Sequence, residues 1–178
     1  MILKKIMEGK VAIITGGASG IGEAAAKILS ENSCKVALLD IDGPRLEMVM
    51  RDLEVFQEDC FGVCGDVTEE NTVINFFKEV VQKWGKLDVL VNSAGRDSLS
   101  PPVSEVTLEE WNKTIAVNLT GVFLCCREAF RIMEKQPTGG RIINLGSTSA
   151  KLASSPGHSP YRASKHGMMG FSENLLLE

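Results

Sequence analysis

The sequence predicts a doubly wound α/β domain built on a parallel sheet. Three observations carry that expectation. Five short apolar runs rich in Val, Ile and Leu alternate with segments of helical period from Lys10 onward, the pattern of strands buried on both faces and joined by helical crossovers. The first run leads into a glycine-rich turn, and the second ends in an acid. The chain has 178 residues, 44% hydrophobic and 24% charged, so residues 1–178 read as one domain able to bury a sizeable core.

The elements follow in order. "KVAIIT" at 10–15 reads as the first strand, with Ile21, Ala25, Ile28 and Leu29 as the apolar stripe of the helix after it. "KVALLD" at 35–40 is the second strand. In "DGPRLEMVMRDL" Pro44 takes a first-turn position, and Leu46, Val49, Met50 and Leu53 share one face. "CFGVCGDV" is a third, shorter strand. Thr68 is expected to cap the next helix, which has Glu69 and Glu70 in its first turn and buries Val73, Phe77, Val80, Val81 and Trp84. "LDVLVNSAG" is a fourth strand ending in small residues. "VTLEEW" reads as a capping box, with Thr107 accepting from the third helical amide, Glu110 reaching back and Val106 stapling to Trp111. One long helix is expected from there to about Lys135. "GGRIINLGS" is the fifth strand, and Ser159 is the expected N-cap of a last helix with Pro160 at its first position.

Charge and composition exclude several classes. A net charge of −4 without a basic cluster argues against nucleic-acid or anionic-membrane partners. The N-terminus lacks the apolar region and cleavage site of a signal peptide, and no run approaches the ~18 apolar residues of a membrane span. A cytoplasmic protein is expected. The cysteines are Cys34, Cys60, Cys64, Cys125 and Cys126. The count is odd, no pair has C-x-x-C spacing, and the two histidines complete no metal cluster. Reduced, mostly buried thiols are the expectation.

"TGGASGIG" at 15–22 joins the first strand to the first helix. Gly16, Gly20 and Gly22 suit a tight turn, close approach to a pyrophosphate and close helix–strand packing, with the helix N-terminus aimed at the phosphates. Asp40 ends the second strand, where a carboxylate can accept from both ribose hydroxyls and repel a 2′-phosphate. Neither Ser19 nor Ile41 supplies the arginine that a 2′-phosphate wants. NAD is therefore expected over NADP.

Tyr161 is the only tyrosine, and Lys165 follows it at helical i,i+4 spacing, so both project from one face. A nearby ammonium stabilises a phenolate over a phenol. Such a phenol can take a proton from an alcohol or give one to a carbonyl. Ser147 follows the fifth strand, and Asn118 sits inside the long helix, where Asn is a poor helix former. Asp66 and Val67 end the third strand, and Asn92 to Gly95 the fourth. All these ends face the carboxyl edge of a parallel sheet, where ligands bind.

Taken together, the motifs resemble the short-chain dehydrogenase/reductase family, in the subgroup with T-G-x-x-x-G-x-G and Y-x-x-x-K, over the whole chain from about Lys10. Thr15, Gly16, Gly20, Ile21 and Gly22 match the cofactor loop, with Ser19 inside it. Asp40, with Ile41 beside it, matches the NAD-selecting acid, and Asp66 with Val67 the adenine contacts. Asn92, Ala94 and Gly95 match the N-x-A-G signature. Asn118, Ser147, Tyr161 and Lys165 match the catalytic four, with Thr148 the neighbouring alternative to Ser147. The resemblance implies a Rossmann-like sheet of order 3-2-1-4-5, C-terminally truncated, with the family's final strands absent. It implies hydride transfer between NAD(H) and a secondary alcohol or ketone. Tyr161 would be the general acid/base. Lys165 would promote its ionisation and hold the nicotinamide ribose, Ser147 would position the substrate oxygen, and Asn118 would fix a water. It further implies a homodimer or homotetramer through the long and last helices, by way of Val122, Phe123, Phe130, Met168, Met169 and Phe171. A 3-oxoacyl thioester reductase and a non-catalytic dinucleotide-binding module are the alternatives. Substrate choice is expected in "RDSLSPPVSE" and "KLASSPGHS".

Overall fold

The computed structural model describes residues 6–55, 59–96, 101–148 and 157–178. Strands β1 (Val11–Thr15), β2 (Lys35–Asp40), β3 (Cys60–Cys64), β4 (Val89–Asn92) and β5 (Arg141–Asn144) form one parallel sheet in the order β3-β2-β1-β4-β5. The fold class and strand order are those expected. Thr15 lies level with Leu39 and Asn92, and Asn92 with Asn144. The register therefore brings the strand ends to one carboxyl edge.

Among the described residues six α-helices accompany the strands: α1 (Gly20–Glu31), α2 (Gly43–Glu54), α3 (Glu70–Trp84), α4 (Leu108–Ile115), α5 (Val122–Met133) and α6 (Ser159–Leu175). The period-two alternation of the central strands divides the core. Val11, Ile13, Ala37 and Leu39 pack with α3, α5 and α6, through Val73, Phe77, Cys125 and Met168 among others. Ile14, Val36 and Leu38 face the other way, against Ala26 of α1 and Leu46, Val49 and Leu53 of α2. Both faces are covered, which is why these strands read as continuous apolar runs.

Several helix details differ from the sequence expectation. In α1 the residues against the sheet are small, Gly22, Ala26 and Ser30, while Ile21 and Ile28 are exposed. Ala25 and Leu29 of the expected stripe pack against the core from its margin, and with them close helix–strand approach at the small residues seats this helix. The helix α3 starts after Glu69 rather than Thr68, because the Asp66 carboxylate takes the Thr68 amide at 2.8 Å and holds it in a turn. The long helix is interrupted by a π-helical turn, Ala116–Gly121, with Asn118 inside it. Thr107 does cap α4, accepting from the Glu110 amide at 3.1 Å, but the Glu110 carboxylate reaches the Arg96 guanidinium. At α6 the start shifts by one residue, so that Ser159 is the first helical residue and His158 the cap.

Three cysteines are buried, Cys34, Cys125 and Cys126, whereas Cys64 is exposed, and none of the five is disulfide-bonded. Burial pushes the thiols of Cys34 and Cys126 up, to about 12 and about 11. Among the described residues no helix is long and apolar enough to cross a membrane.

Asp88 ties the start of the sheet together. Its carboxylate accepts from the Val11 amide and pairs with Lys10 and Lys86, each at 3.0 Å. Burial alone would raise its pKa; the two ammonium groups and the amide outweigh burial and hold it below the ordinary 3.8. Its contribution is therefore complete above that pH and lost as pH falls through the lowered folded value. Asp88→Asn is expected to reduce unfolding free energy by about 1–3 kcal/mol at neutral pH. The deficit should shrink in acid, where the native carboxyl also protonates. Denaturant melts at neutral and acidic pH check this, and an unchanged neutral-pH midpoint would refute it.

Candidate active site

The turn from β1 to α1 is built by two glycines for different reasons. Gly16 has φ of +65°, and a Cβ there would lie 2.7 Å from the Ala94 backbone. Gly22 is helical, but a Cβ there would overlap the Gly16 carbonyl oxygen. The turn is anchored by the Gly16 amide, which donates to Leu39 O at 2.8 Å, and by Thr15 Oγ1, which accepts from the Ala94 amide at 3.2 Å. Ser19 makes no side-chain cap on α1, so the first-turn amides and the positive end of the helix are left for an anion.

Asp40 stands beside this turn at the end of β2. Its Oδ2 accepts from the Ala18 amide and its Oδ1 from the Asp42 amide, each at 2.9 Å. An arginine that neither Ser19 nor Ile41 supplies comes instead from α2. Arg45 Nε donates to Ala18 O at 3.1 Å, and Nη2 to Glu23 Oε2 at 2.9 Å. Sequence reasoning missed it, since only the packing of α2 over the turn brings it there. Its one local signal is Asp42, which caps α2 by accepting from the Arg45 amide at 3.0 Å.

The other end of the site is made by α6. Lys165 is 6% exposed. Its Nζ donates to Leu145 O at 2.7 Å and lies 5.8 Å from the centroid of the Tyr161 ring. The i,i+4 pair therefore shares one face, just beyond the end of β5. Ser147, half-buried, follows Leu145 and Gly146. Asn118 is fully buried. Its Oδ1 accepts from the Arg96 amide at 2.7 Å, and its Nδ2 donates to Arg96 O at 2.9 Å and to Ser164 Oγ at 3.1 Å. Ser164 Oγ in turn donates to Tyr161 O at 2.6 Å. The π-helical turn thus aims an amide that pins the loop after β4 to the helix carrying Tyr161, a recurrent use of such turns.

A cleft of about 520 Å³ joins the two ends. Gly16, Ser19, Gly20 and Ile21 line it at α1; Asp40, Ile41, Asp66 and Val67 flank it; Ala94 and Gly95 form its middle; Tyr161 and Lys165 close it. Ser93, within the expected Asn92–Gly95 segment, lines it too, as do Leu39, Gly65, Val117, Leu145 and Gly146, which were not foreseen. Their signal was their position beside residues that were. Gly22, Asn92, Asn118 and Ser147 stand behind or beside the lining. Asn92 turns under the sheet edge, donating to Asn144 Oδ1 at 2.8 Å and to Cys126 Sγ at 3.3 Å. Parts of the two expected specificity segments, 97–100 and 151–156, lie outside the described residues. An elongated cleft with backbone closely packed at one end, an acid beside it and a Tyr–Lys pair at the other fits a nicotinamide dinucleotide.

The comparison with known proteins agrees. The family model for short chain dehydrogenases matches residues 10–178. The chain belongs to the short-chain dehydrogenase/reductase family. An uncharacterized oxidoreductase of Thermotoga maritima is 41% identical over 175 residues, 97% of this chain and 66% of that protein. Secoisolariciresinol dehydrogenase of Forsythia intermedia is 37% identical over 173 residues, 97% of this chain and 61% of the relative. The crystal structure of an NAD+-bound xylitol dehydrogenase superposes with a TM-score of 0.91 at 30% identity, over 96% of this chain and 65% of that one. This member of the family therefore spans less than two thirds of the length of such relatives.

Proposed function

We propose that the chain binds NAD(H) in the cleft and serves hydride transfer between it and a secondary alcohol or ketone. The observation that carries the reading is Lys165, held on Leu145 O against the Tyr161 ring, at the far end of a cleft that begins at Asp40. The NAD+-bound xylitol dehydrogenase it resembles supports the choice of cofactor. So does the engagement of Arg45, beside the turn that Asp40 holds, with Glu23.

Bound NAD+ would supply the hydride acceptor. Tyr161 would take the hydroxyl proton as the substrate carbon is oxidised, and return it in the reverse direction. The Lys165 ammonium would stabilise the phenolate. Ser147 would hydrogen-bond the substrate oxygen. In Asn118 both amide hydrogens are committed to the protein, so a water fixed there would meet its main-chain carbonyl or the second lone pair of Oδ1. The exposed Phe123, edge-on to Phe171 at 6.1 Å, marks the face through which we take the chain to self-associate. Val122 and Met168, expected on that face, are core residues instead.

Fluorescence titration with NADH tests the reading, followed by assay against a panel of secondary alcohols and their ketones. Saturable binding with turnover is expected. Binding without turnover would favour a non-catalytic dinucleotide module, and absence of binding would overturn the reading. Sedimentation of the same material should show a dimer or tetramer, and monomer alone at high micromolar concentration would overturn the self-association.

A further inference from the structure

Close to the turn beside Asp40, one carboxylate holds two cations that do not line the cleft. Glu23 lies one helical turn from Ser19, with its amide donating to Ser19 O. Its Oε1 accepts from Lys27 Nζ at 3.0 Å and its Oε2 from Arg45 Nη2 at 2.9 Å. The Lys27 ammonium, then the Arg45 guanidinium, hold the Glu23 carboxyl below the usual carboxylate range. The buried Ala18 is gripped from both sides, its amide by Asp40 and its carbonyl by Arg45. The guanidinium is therefore next to the turn that borders the ribose acid, with its Nε engaged by a carbonyl and its Nη2 held by Glu23.

We propose that Glu23 is a second specificity-determining residue for the cofactor, retaining Arg45 so that a ribose 2′-phosphate meets carboxylates and no available cation. The proposal rests on the reading of the cleft as an NAD(H) site. Guanidinium is the group best matched to phosphate, because its planar fork can give two parallel hydrogen bonds. Asp40, Asp42 and Glu23 lie about Ala18 and Arg45 here, and Lys27 is shared between Glu23 and Asp52, which it reaches at 3.5 Å. Removing Asp40 alone lifts one repulsion and leaves the guanidinium held. Removing Glu23 as well frees a long, flexible side chain whose guanidinium already lies against the turn.

The test measures NADH and NADPH dissociation constants for the unaltered chain, for Asp40→Ser, for Asp40→Ser/Glu23→Gln, and for that pair with Arg45→Met. Adding Glu23→Gln to Asp40→Ser should tighten NADPH about tenfold, the scale of one charge-assisted hydrogen bond to phosphate, with NADH altered much less. Arg45→Met should remove that gain. A purely structural brace would instead change both cofactors together. An NADPH to NADH ratio unmoved by Glu23→Gln, or a gain that survives Arg45→Met, would overturn the proposal while NADH binding by the unaltered chain leaves the cleft reading intact. If the unaltered chain binds neither dinucleotide, the cleft reading falls and takes this one with it.

Discussion

Gly22→Ala is expected to lower the thermal midpoint and to weaken NADH binding by two orders of magnitude or so. Helix propensity alone predicts the opposite, since alanine in a helix interior is favoured over glycine by about 1 kcal/mol. Packing reverses the sign. The new methyl would overlap the Gly16 carbonyl oxygen and sit 2.8 Å from its carbon, and both are backbone atoms of an anchored turn. No side chain can swing aside. Overpacking of this kind costs about 1–3 kcal/mol and sometimes more, so the net change is destabilising. The strain relaxes by parting α1 from the turn, which displaces the first-turn amides that would meet the phosphates. Two charge-assisted hydrogen bonds at about 1.5 kcal/mol each give the expected affinity loss. Gly170→Ala is the internal control. It is also helical, with nothing within 4 Å of the added methyl, and should leave stability unchanged or raised and NADH binding intact. A Gly22→Ala chain as stable as Gly170→Ala, with unaltered NADH affinity, would show that the close approach does not hold the turn.

The legible parts of the fold share a physical cause. Every strand could be placed because a parallel sheet covered on both faces leaves a continuous apolar run; β2 coincides with "KVALLD" and β1 is one residue shorter than its run, whereas β3, β4 and β5 each end three residues before the segment read for them. The glycine turn and the Tyr161–Lys165 spacing were legible because they are local geometry. Illegible were features decided by distant partners. Ile21 and Ile28 read as core together with Ala25 and Leu29, which do pack there, but the sheet approaches most closely over Gly22, Ala26 and Ser30 and leaves both isoleucines exposed. The π-helical turn at Asn118 exists to reach Arg96 and Ser164, 22 and 46 residues away. The poor helix propensity of Asn hinted at an irregularity there without giving its form. Arg45 reaches Ala18 across 27 residues, so a search confined to Ser19 and Ile41 could not find it.

The sharpest functional contrast should come from Tyr161→Phe and Lys165→Met. Tyr161→Phe removes one oxygen and keeps the ring against which Lys165 Nζ rests at 5.8 Å. With no group left to exchange the substrate proton, turnover should fall about 10²–10⁴-fold, while NADH affinity stays within about threefold, a difference under 1 kcal/mol. Lys165→Met removes both the electrostatic support of the phenolate and the donor proposed for the nicotinamide ribose, so turnover and NADH affinity should fall together. Its stability should nonetheless change little. Burying an ammonium is itself costly; replacing a buried ion pair with apolar residues of like size is often neutral or stabilising by about 1–4 kcal/mol, and relief on that scale is expected here. Leaving Leu145 O without that donor costs about 1–3 kcal/mol. The two effects are of one size and oppose each other, so the midpoint should move by only a few degrees. A residue kept for function and not for folding has this signature. Kinetics at saturating substrate, NADH titration and a thermal melt on each variant separate the cases. Full turnover in Tyr161→Phe would remove the phenol from the mechanism. A collapsed fold in Lys165→Met would make the lysine a structural pin between α6 and the end of β5.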